Sequence, residues 1–454
     1  MNPIDDLLST GDAALRIIGP HVDEGEVFIS RNSYRSISLQ KNKIKSVSGG
    51  GESGIAIRVL KDGKLGFSYC TGINTVTSAL QLALQGASIT PKKPFEFPAG
   101  KKYFTIPELL DKRVLDLTPE EGTEIVKSLV DSALEVHSDI VATGGGFSFG
   151  EEQIVIMNTR GLEVSEHLSY NSASIHSVFS GNNPSSGYEF NSSHCTIKDF
   201  EEIGRKSAEL AVKGQNPKKI DSRKMPVVFK PEAFAQLMEF ITIPALYGIK
   251  AEKGETVYSE KIDQKIMHPS ISIIDDPSMP NGVNAMKMDD EGIPSACLEL
   301  VKDGVLKNFF YNVASGFEFG KESTGNGLRG GGQDHTSPVS TSGRNIMIQG
   351  NTSAEDTLIS EIDHGLLVYD IMGAHTSNPA SGDFSVTGST IFQLEKGEIT
   401  HPVSQAMISG NLPNYMQNLS GIGNNYRRLS GGLSPIGFYI PSIRIDGVQV
   451  TGEL

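Results

Sequence analysis

Residues 365–400, GLLVYDIMGAHTSNPASGDFSVTGSTIFQLEKGEIT, set the strongest constraint on what this chain can fold into. Leu366, Leu367, Val368 and Tyr369 form an apolar run of the length and kind used by buried strands. Gly373 to Gly382 is turn-rich, with Gly, Asn, Pro and Ser at close spacing. The ionisable side chains of that loop are His375 and, at its end, Asp383. Phe384 to Leu394 returns as an apolar-rich strand, and Glu395-Lys396-Gly397-Glu398 closes it with a hairpin turn. A loop of small residues pinned between two strands lets a chain or ligand approach the backbone, and the same composition also makes a plain tight corner.

A chain of 454 residues has room for two to three domains, and its abundant glycine suits strands and turns more than long helices. The net charge of −14 argues against general nucleic-acid binding, which needs a basic face. The longest basic cluster, Lys218-Lys219 with Arg223-Lys224, reads as a solvated linker. The N-terminal stretch is acidic early and lacks the apolar core of a signal peptide. No stretch approaches the ~20 apolar residues of a membrane helix. Cys70, Cys195 and Cys297 are too few and too scattered for a disulfide framework or a zinc cluster. The expectation is a reduced, cytoplasmic protein.

Periodicity predicts an α+β fold. Residues 3–87 read as a helix, four strands and a helix, with Lys61-Asp62-Gly63 as one hairpin turn. Residues 119–213 read the same way, with Thr118 as N-cap of the first helix, which suggests a duplicated unit. The polar segment 214–224 marks a boundary, giving domains 1–220 and 221–454. The second domain opens with a strand at 226–229 and a helix at 231–246, Pro231 standing in its first turn. Beyond it the pattern is nearly all antiparallel strand and turn, with Asp303-Gly304 and Lys396-Gly397 as hairpins, as in a barrel-like closed sheet.

Most chemical motifs fail on context. Gly325-Asn326-Gly327-Leu328-Arg329-Gly330 matches G-x-G-x-x-G, yet polar residues precede it and Gly331-Gly332-Gln333-Asp334 after it reads as no helix, whereas a dinucleotide site needs a strand before and a helix after. No Gly-x-Ser-x-Gly elbow occurs. His194 and Cys195 are adjacent and would point to opposite faces of a strand. Asp363, His364, Asp370, His375 and Asp383 match no metal-ligand spacing.

The strings MGAHTSNPASGDFSV and LEKGEITHPVSQAMISGNL resemble the C-terminal signature of the TldD/PmbA family, peptidase subunits also named modulators of DNA gyrase. The resemblance spans nearly the whole chain and implies a mixed α/β N-terminal part and a β-rich C-terminal part. It also implies that the helix at 231–246 would carry His-Glu-x-x-x-His in catalytic members, with a further metal ligand from a late cysteine. Here that helix has no histidine, Met238 to Ile243 stand around the relevant turn, and the late stretch reads Leu-Ser-Gly-Gly-Leu-Ser over 429–434. That pattern resembles the PmbA/TldE branch, which implies no catalytic residue, no metal ligand and no cofactor in this chain. The zinc would belong to a TldD-like HExxxH partner in a heterodimer, with a homodimer as the alternative assembly and a peptide as substrate. Thr324, Asn326, Gly373, His375, Asn378, Gly382, Asp383 and Phe384 are the residues expected to face that peptide, with Asp383 holding backbone N–H groups across its turn. Direct nucleic-acid or membrane binding is not expected. Two further readings stay open: a self-sufficient homodimeric peptidase with a site near His375 and Asp383, and a non-enzymatic peptide-binding or scaffold protein.

Overall fold

The computed structural model describes residues 4–181, 183–330 and 335–452. Its N-terminal part comprises α1 (Asp5–Ile18), β1 (Glu24–Gln40), β2 (Lys43–Lys61), β3 (Lys64–Cys70) and α2 (Val76–Ile89). After a short α3 (Lys112–Leu115) the plan repeats in α4 (Pro119–Leu134), β4 (Ile140–Asn158), β5 (Glu163–Phe179), β6 (Ser185–Ser193) and α5 (Phe200–Lys213). Each unit therefore has three strands, not four. In the first, Lys41 and Asn42 take positive φ and turn one expected strand, 36–48, into two; neither is glycine, so the turn carries little sequence signal. In the second, pairs of expected segments fuse into long β4 and β5, and β6 lies beyond them.

The strands form one antiparallel sheet, ordered β3-β2-β1-β4-β5-β6. The two units meet through their first strands, Ser36 pairing with Ser148. Alternation puts Val27, Ile29 and Ile57 under α1 and α2, and Ile37, Phe147 and Ile175 under α4 and α5. Thr118 and Glu121 close α4 with a capping box. The opposite face carries Phe28, Ile154 and Leu168 onto Ala285, Met286 and Met288 of the C-terminal part.

Charge joins the same two parts. Arg58 on β2 forks onto Glu26 of β1 at 2.8 and 2.9 Å and donates to Glu291 at 2.7 Å, all three side chains at most 4% exposed. Asp289, Asp290 and Glu291 form a consecutive acidic run that is wholly buried. Asp289 accepts from the Gly327, Glu291 and Ile293 amides, Asp290 from Arg329, and Glu291 from Val313.

The C-terminal part contains a closed barrel of β7 (Arg223–Phe229), β14 (His364–Met372), β15 (Asp383–Glu395), β17 (Ala406–Asn411) and β21 (Ile443–Thr451). Pairing of β14 with β15 closes it, and the β7–β14 pair is parallel where the other barrel pairs are antiparallel. β16 (Glu398–Val403) and β18 (Leu419–Ile422) extend it. A second, open sheet runs β10 (Val305–Leu306), β9 (Leu298–Lys302), β8 (Ile271–Asp275), β13 (Asn345–Gly350), β20 (Gly437–Ile440) and β19 (Arg427–Ser430). β11 (Gly327–Arg329) pairs with β12 (Val339–Thr341), so the glycine motif at 325–330 runs into a strand; residues 331–334 lie outside the described residues. Between β7 and the rest stands α6 (Pro231–Leu237), followed by a π-helical turn over Met238–Thr242.

Close helix packing yields a first prediction. A Cβ on Gly204 of α5 would meet the Leu129 carbonyl oxygen of α4 at 2.2 Å. Gly204→Ala should cost about 1–3 kcal/mol in urea unfolding. Gly19→Ala, with nothing within 4 Å of the added carbon, should change stability by less than ~0.5 kcal/mol.

Candidate functional site

Helix α6 starts where β7 leaves the barrel, with Pro231 at its first turn, and packs against β14, β19 and β20. Phe234, Leu237 and Met238 enter the barrel core. The polar positions Glu232, Gln236 and Glu239 recur at helical spacing, and each is spent on a partner from another strand or loop.

Glu232 forms an ion pair with Arg427 of β19, and the same guanidinium pairs with Glu189 of β6 in the N-terminal sheet. Burial holds the Glu232 carboxyl above the usual carboxylate range, with Arg427 pulling it back. The Gln236 amide donates to Asp370 of β14 at 2.9 Å, and Ser389 of β15 donates to the other oxygen at 2.6 Å. Glu239 accepts from the amides of Gly432, Leu433 and Ser434 at 2.7, 3.0 and 2.8 Å and from the Ser434 hydroxyl at 2.7 Å. The helix and the late 429–434 stretch are thus in direct contact, and what joins them is a carboxylate held by backbone N–H groups.

Two windows of this helix keep the spacing of His-Glu-x-x-x-His. In Met238 to Ile243 both end residues are buried apolar side chains, and the Glu239 oxygens are taken by four donors. In Pro231 to Gln236 the first residue has no ligand atom, the Glu holds a guanidinium and the Gln amide is engaged. The second window has two half-buried polar side chains, Glu232 and Gln236, and it stands more than a turn before Met238–Ile243. A divalent cation does not fit either donor set: apolar groups cannot bind it, and a fixed positive charge already neutralises Glu232.

The loop between β14 and β15 lies beside the helix, the His375 ring meeting Phe240 edge-on at 6.2 Å. Gly373 and Gly382 both adopt positive φ, which only glycine takes without cost. Asn378 Oδ1 accepts from the Ala380 amide at 3.0 Å, its own amide donates to the Asp383 carbonyl, and Gly382 donates to its carbonyl. Asn378, rather than Asp383, therefore holds the backbone across the turn. Asp383 accepts from the side chains of Ser381 at 2.7 Å and Asn411 at 2.8 Å, and these donors, Asn411 first, hold its carboxyl below the usual range. Asp383 opens β15, and that strand points its carboxylate outward, away from the amides it was expected to reach. Phe384 turns inward against Tyr415.

Thr324 and Asn326 do not join this group. Thr324 bonds Tyr311 and Asn326. Asn326 is 2% exposed, its amide donating to Asp275 and to the Ser342 carbonyl. Both brace the open sheet and share no hydrogen bond or ring contact with loop 373–384 among the described residues. Sequence reasoning missed Arg427 and Glu189, which lie far apart in the chain, and weighed Asp370 only as a metal ligand, not as the partner of Gln236. The signal available was the two carboxylates, Glu232 and Glu239, in an otherwise mostly apolar helix, charges that must find partners.

Three family models match the chain: the PmbA/TldA metallopeptidase domain 1 over residues 25–88, its central domain over 112–215, and its C-terminal domain over 222–452. The chain belongs to the PmbA/TldD family. Metalloprotease PmbA of Escherichia coli O157:H7 is similar at 24% identity, covering 96% of this chain and 94% of that protein. An uncharacterised protein of Methanocaldococcus jannaschii is 30% identical, covering 86% and 89%. The crystal structure of TldE from Thermococcus kodakarensis superposes with a TM-score of 0.89 at 24% identity over 99% and 100% of the two chains, a likeness of fold. Family members bear the name metalloprotease, and this PmbA/TldD chain lacks a group of three His, Cys, Asp or Glu side chains able to hold a metal among its described residues.

Arg427→Ala should leave Glu189 and Glu232 without their cation and cost about 1–3 kcal/mol at pH 8, less than a fully buried pair because Arg427 is 33% exposed. A carboxyl whose folded pKa is raised favours the fold below its unfolded pKa and loses that contribution as pH rises through the folded value. Urea unfolding should therefore show a smaller penalty at pH 5 than at pH 8. Glu232→Gln in the Arg427→Ala background should remove most of the difference.

Proposed function

We infer that this chain is the metal-free subunit of a two-subunit peptidase, completing a peptide-binding chamber while a partner chain with HExxxH carries zinc. One observation carries this: the helix that would present metal ligands presents Pro231, Gln236 and a Glu232 already paired with Arg427. Without a bound metal, nothing at α6 lowers the pKa of a water enough to attack an amide near neutral pH. The chain's own contribution is to bind and orient. The loop at 373–384 presents His375 and Asp383 at the surface on a backbone fixed by Asn378, Gly373 and Gly382, a rigid rim against which an extended substrate can lie. No helix is long and apolar enough to cross a membrane among the described residues.

Purified alone, the chain should hold far less than one zinc per molecule and leave an unstructured peptide intact. Adding an HExxxH homologue should produce chelator-sensitive cleavage. Stoichiometric zinc with cleavage by the lone chain would overturn the proposal in favour of a self-sufficient peptidase. In the reconstituted pair, Asp383→Ala should lower kcat/KM several-fold while leaving the urea midpoint nearly unchanged, since its partners Ser381 and Asn411 sit at the surface with it. Unchanged kcat/KM would make the loop a plain corner.

A further inference from the structure

We propose that Glu239 is a positioning residue that holds the 432–434 loop in the shape that presents Leu433 to an apolar side chain of the bound peptide. This rests on the peptide-handling reading above and names the substrate feature that the chain would select.

Glu239 lies in the π-helical turn Met238–Thr242 and is 4% exposed. Turns of this kind re-aim a side chain and gather at functional sites. A carboxylate at that depth is costly unless donors surround it. Here the amides of Gly432, Leu433 and Ser434 converge on it at 2.7, 3.0 and 2.8 Å, and the Ser434 hydroxyl joins them at 2.7 Å. Three successive amides aimed at one point form an anion-binding nest. In this chain the anion is built in. Gly431 lets the loop close on it: an added Cβ would meet the Ser434 carbonyl oxygen at 2.7 Å and the Glu239 carboxylate at 3.1 Å. The other ties of this loop hold its base and not its tip. They run from the Gly431 amide to the Ile436 carbonyl at 2.7 Å and from the Asn284 side-chain amide to the Pro435 carbonyl at 2.9 Å.

What the nest holds out is Leu433. Its amide turns in to Glu239, while the residue is 77% exposed. A lone exposed leucine is ordinary on a loose loop. On a tip pinned by four bonds to a buried charge it is pre-ordered, so a contact with it costs little further entropy. Its setting fits a peptide. Phe240, the next residue of the π turn, is half-buried and meets the His375 ring of the 373–384 rim at 6.2 Å. The turn that fixes Leu433 is thus continuous with the surface on which an extended substrate would lie. Residues 429–436, Leu-Ser-Gly-Gly-Leu-Ser-Pro-Ile, carry no charge. An apolar side chain matches that chemistry, and a charged one would lose water there without gaining a partner.

The test uses the full chain reconstituted with an HExxxH homologue. The probes are unstructured polar peptides in which a single leucine is moved through successive positions. Cleavage by the reconstituted pair should favour leucine at one position. Leu433→Ala, a change at an exposed side chain, should cut the ratio of kcat/KM for that peptide over its all-polar parent roughly three- to tenfold. Glu239→Ala should lower the same ratio through KM and speed hydrogen exchange at 432–434. Acetate, which replaces the deleted carboxylate, should restore both, and chloride at equal ionic strength should restore neither. An unchanged ratio in Leu433→Ala would overturn the proposal and leave the peptidase reading standing, and that variant decides the matter even where Glu239→Ala fails to fold. Acetate that restores exchange protection but not the ratio would make Glu239 a structural residue only and overturn its positioning role. Loss of co-elution with the homologue in Leu433→Ala would assign Leu433 to the subunit contact and overturn the peptide as its occupant. Absence of turnover in every reconstituted pair would overturn both readings.

Discussion

The buried fork of Arg58 onto Glu26, with its third bond to Glu291, is what makes one structure of two parts. The apolar contact between the sheet face and Met286 and Met288 supplies area, but area alone fixes no register. Directional bonds between fully desolvated charges do, because breaking one strands another; loss of one partner of such a pair costs about 3–5 kcal/mol. The acids at 289–291 are positioned by main-chain amides from β11 and from residues 291, 293 and 313, so the docking surface is set by the local fold of the C-terminal part. Burial and the neighbouring Glu291 charge raise the Asp289 carboxyl above the usual carboxylate range, while the Gly327 and Ile293 amides pull it back.

Around that joint the barrel serves as a rigid frame. Closure through β14 and β15 removes the sheet edges that a loose β-domain would expose, and it holds the 373–384 loop and helix α6 in fixed relation. The polar side chains of α6 and its π turn then meet partners from three directions, β14, β19 and the 432–434 loop, and Arg427 of β19 carries the contact on to β6. In this arrangement an arginine offsets the charge of Glu232 and a set of backbone amides offsets that of Glu239.

Much of the fold was legible in the sequence where a single residue type forces the geometry. Asp62-Gly63, Asp303-Gly304 and Lys396-Gly397 turn with positive φ at both positions, and Thr118 caps α4 as its spacing with Glu121 demands. Lys41-Asn42 makes the same turn without glycine and stayed hidden. β19 gives little signal because the arginines at 427 and 428 dilute its period, and Pro402 does the same to β16 beyond its hairpin turn. The candidate site was legible only as local pieces. The loop at 373–384 announces itself by composition, but the link from Glu239 to Gly432, or from Glu232 through Arg427 to Glu189, joins residues roughly two hundred apart or more, with no local signal. The acids at 289–291 look like a solvated run until the partners that bury them are in place.

The N-terminal sheet reads the same from its centre outward: three strands on one side of the seam between β1 and β4, three on the other, each trio flanked by its own two helices. Two identical chains associated in this way would have to present identical flanks. A single chain that contains both trios is free of that rule. One flank, at β6, reaches through Glu189 into the charge balance of α6, while the other stops short at β3 and leaves residues 43–54 of β2 without a second strand partner among the described residues. Covalent linkage thus lets a nearly symmetric body face two different directions, one inward to its own framework and one outward to whatever arrives.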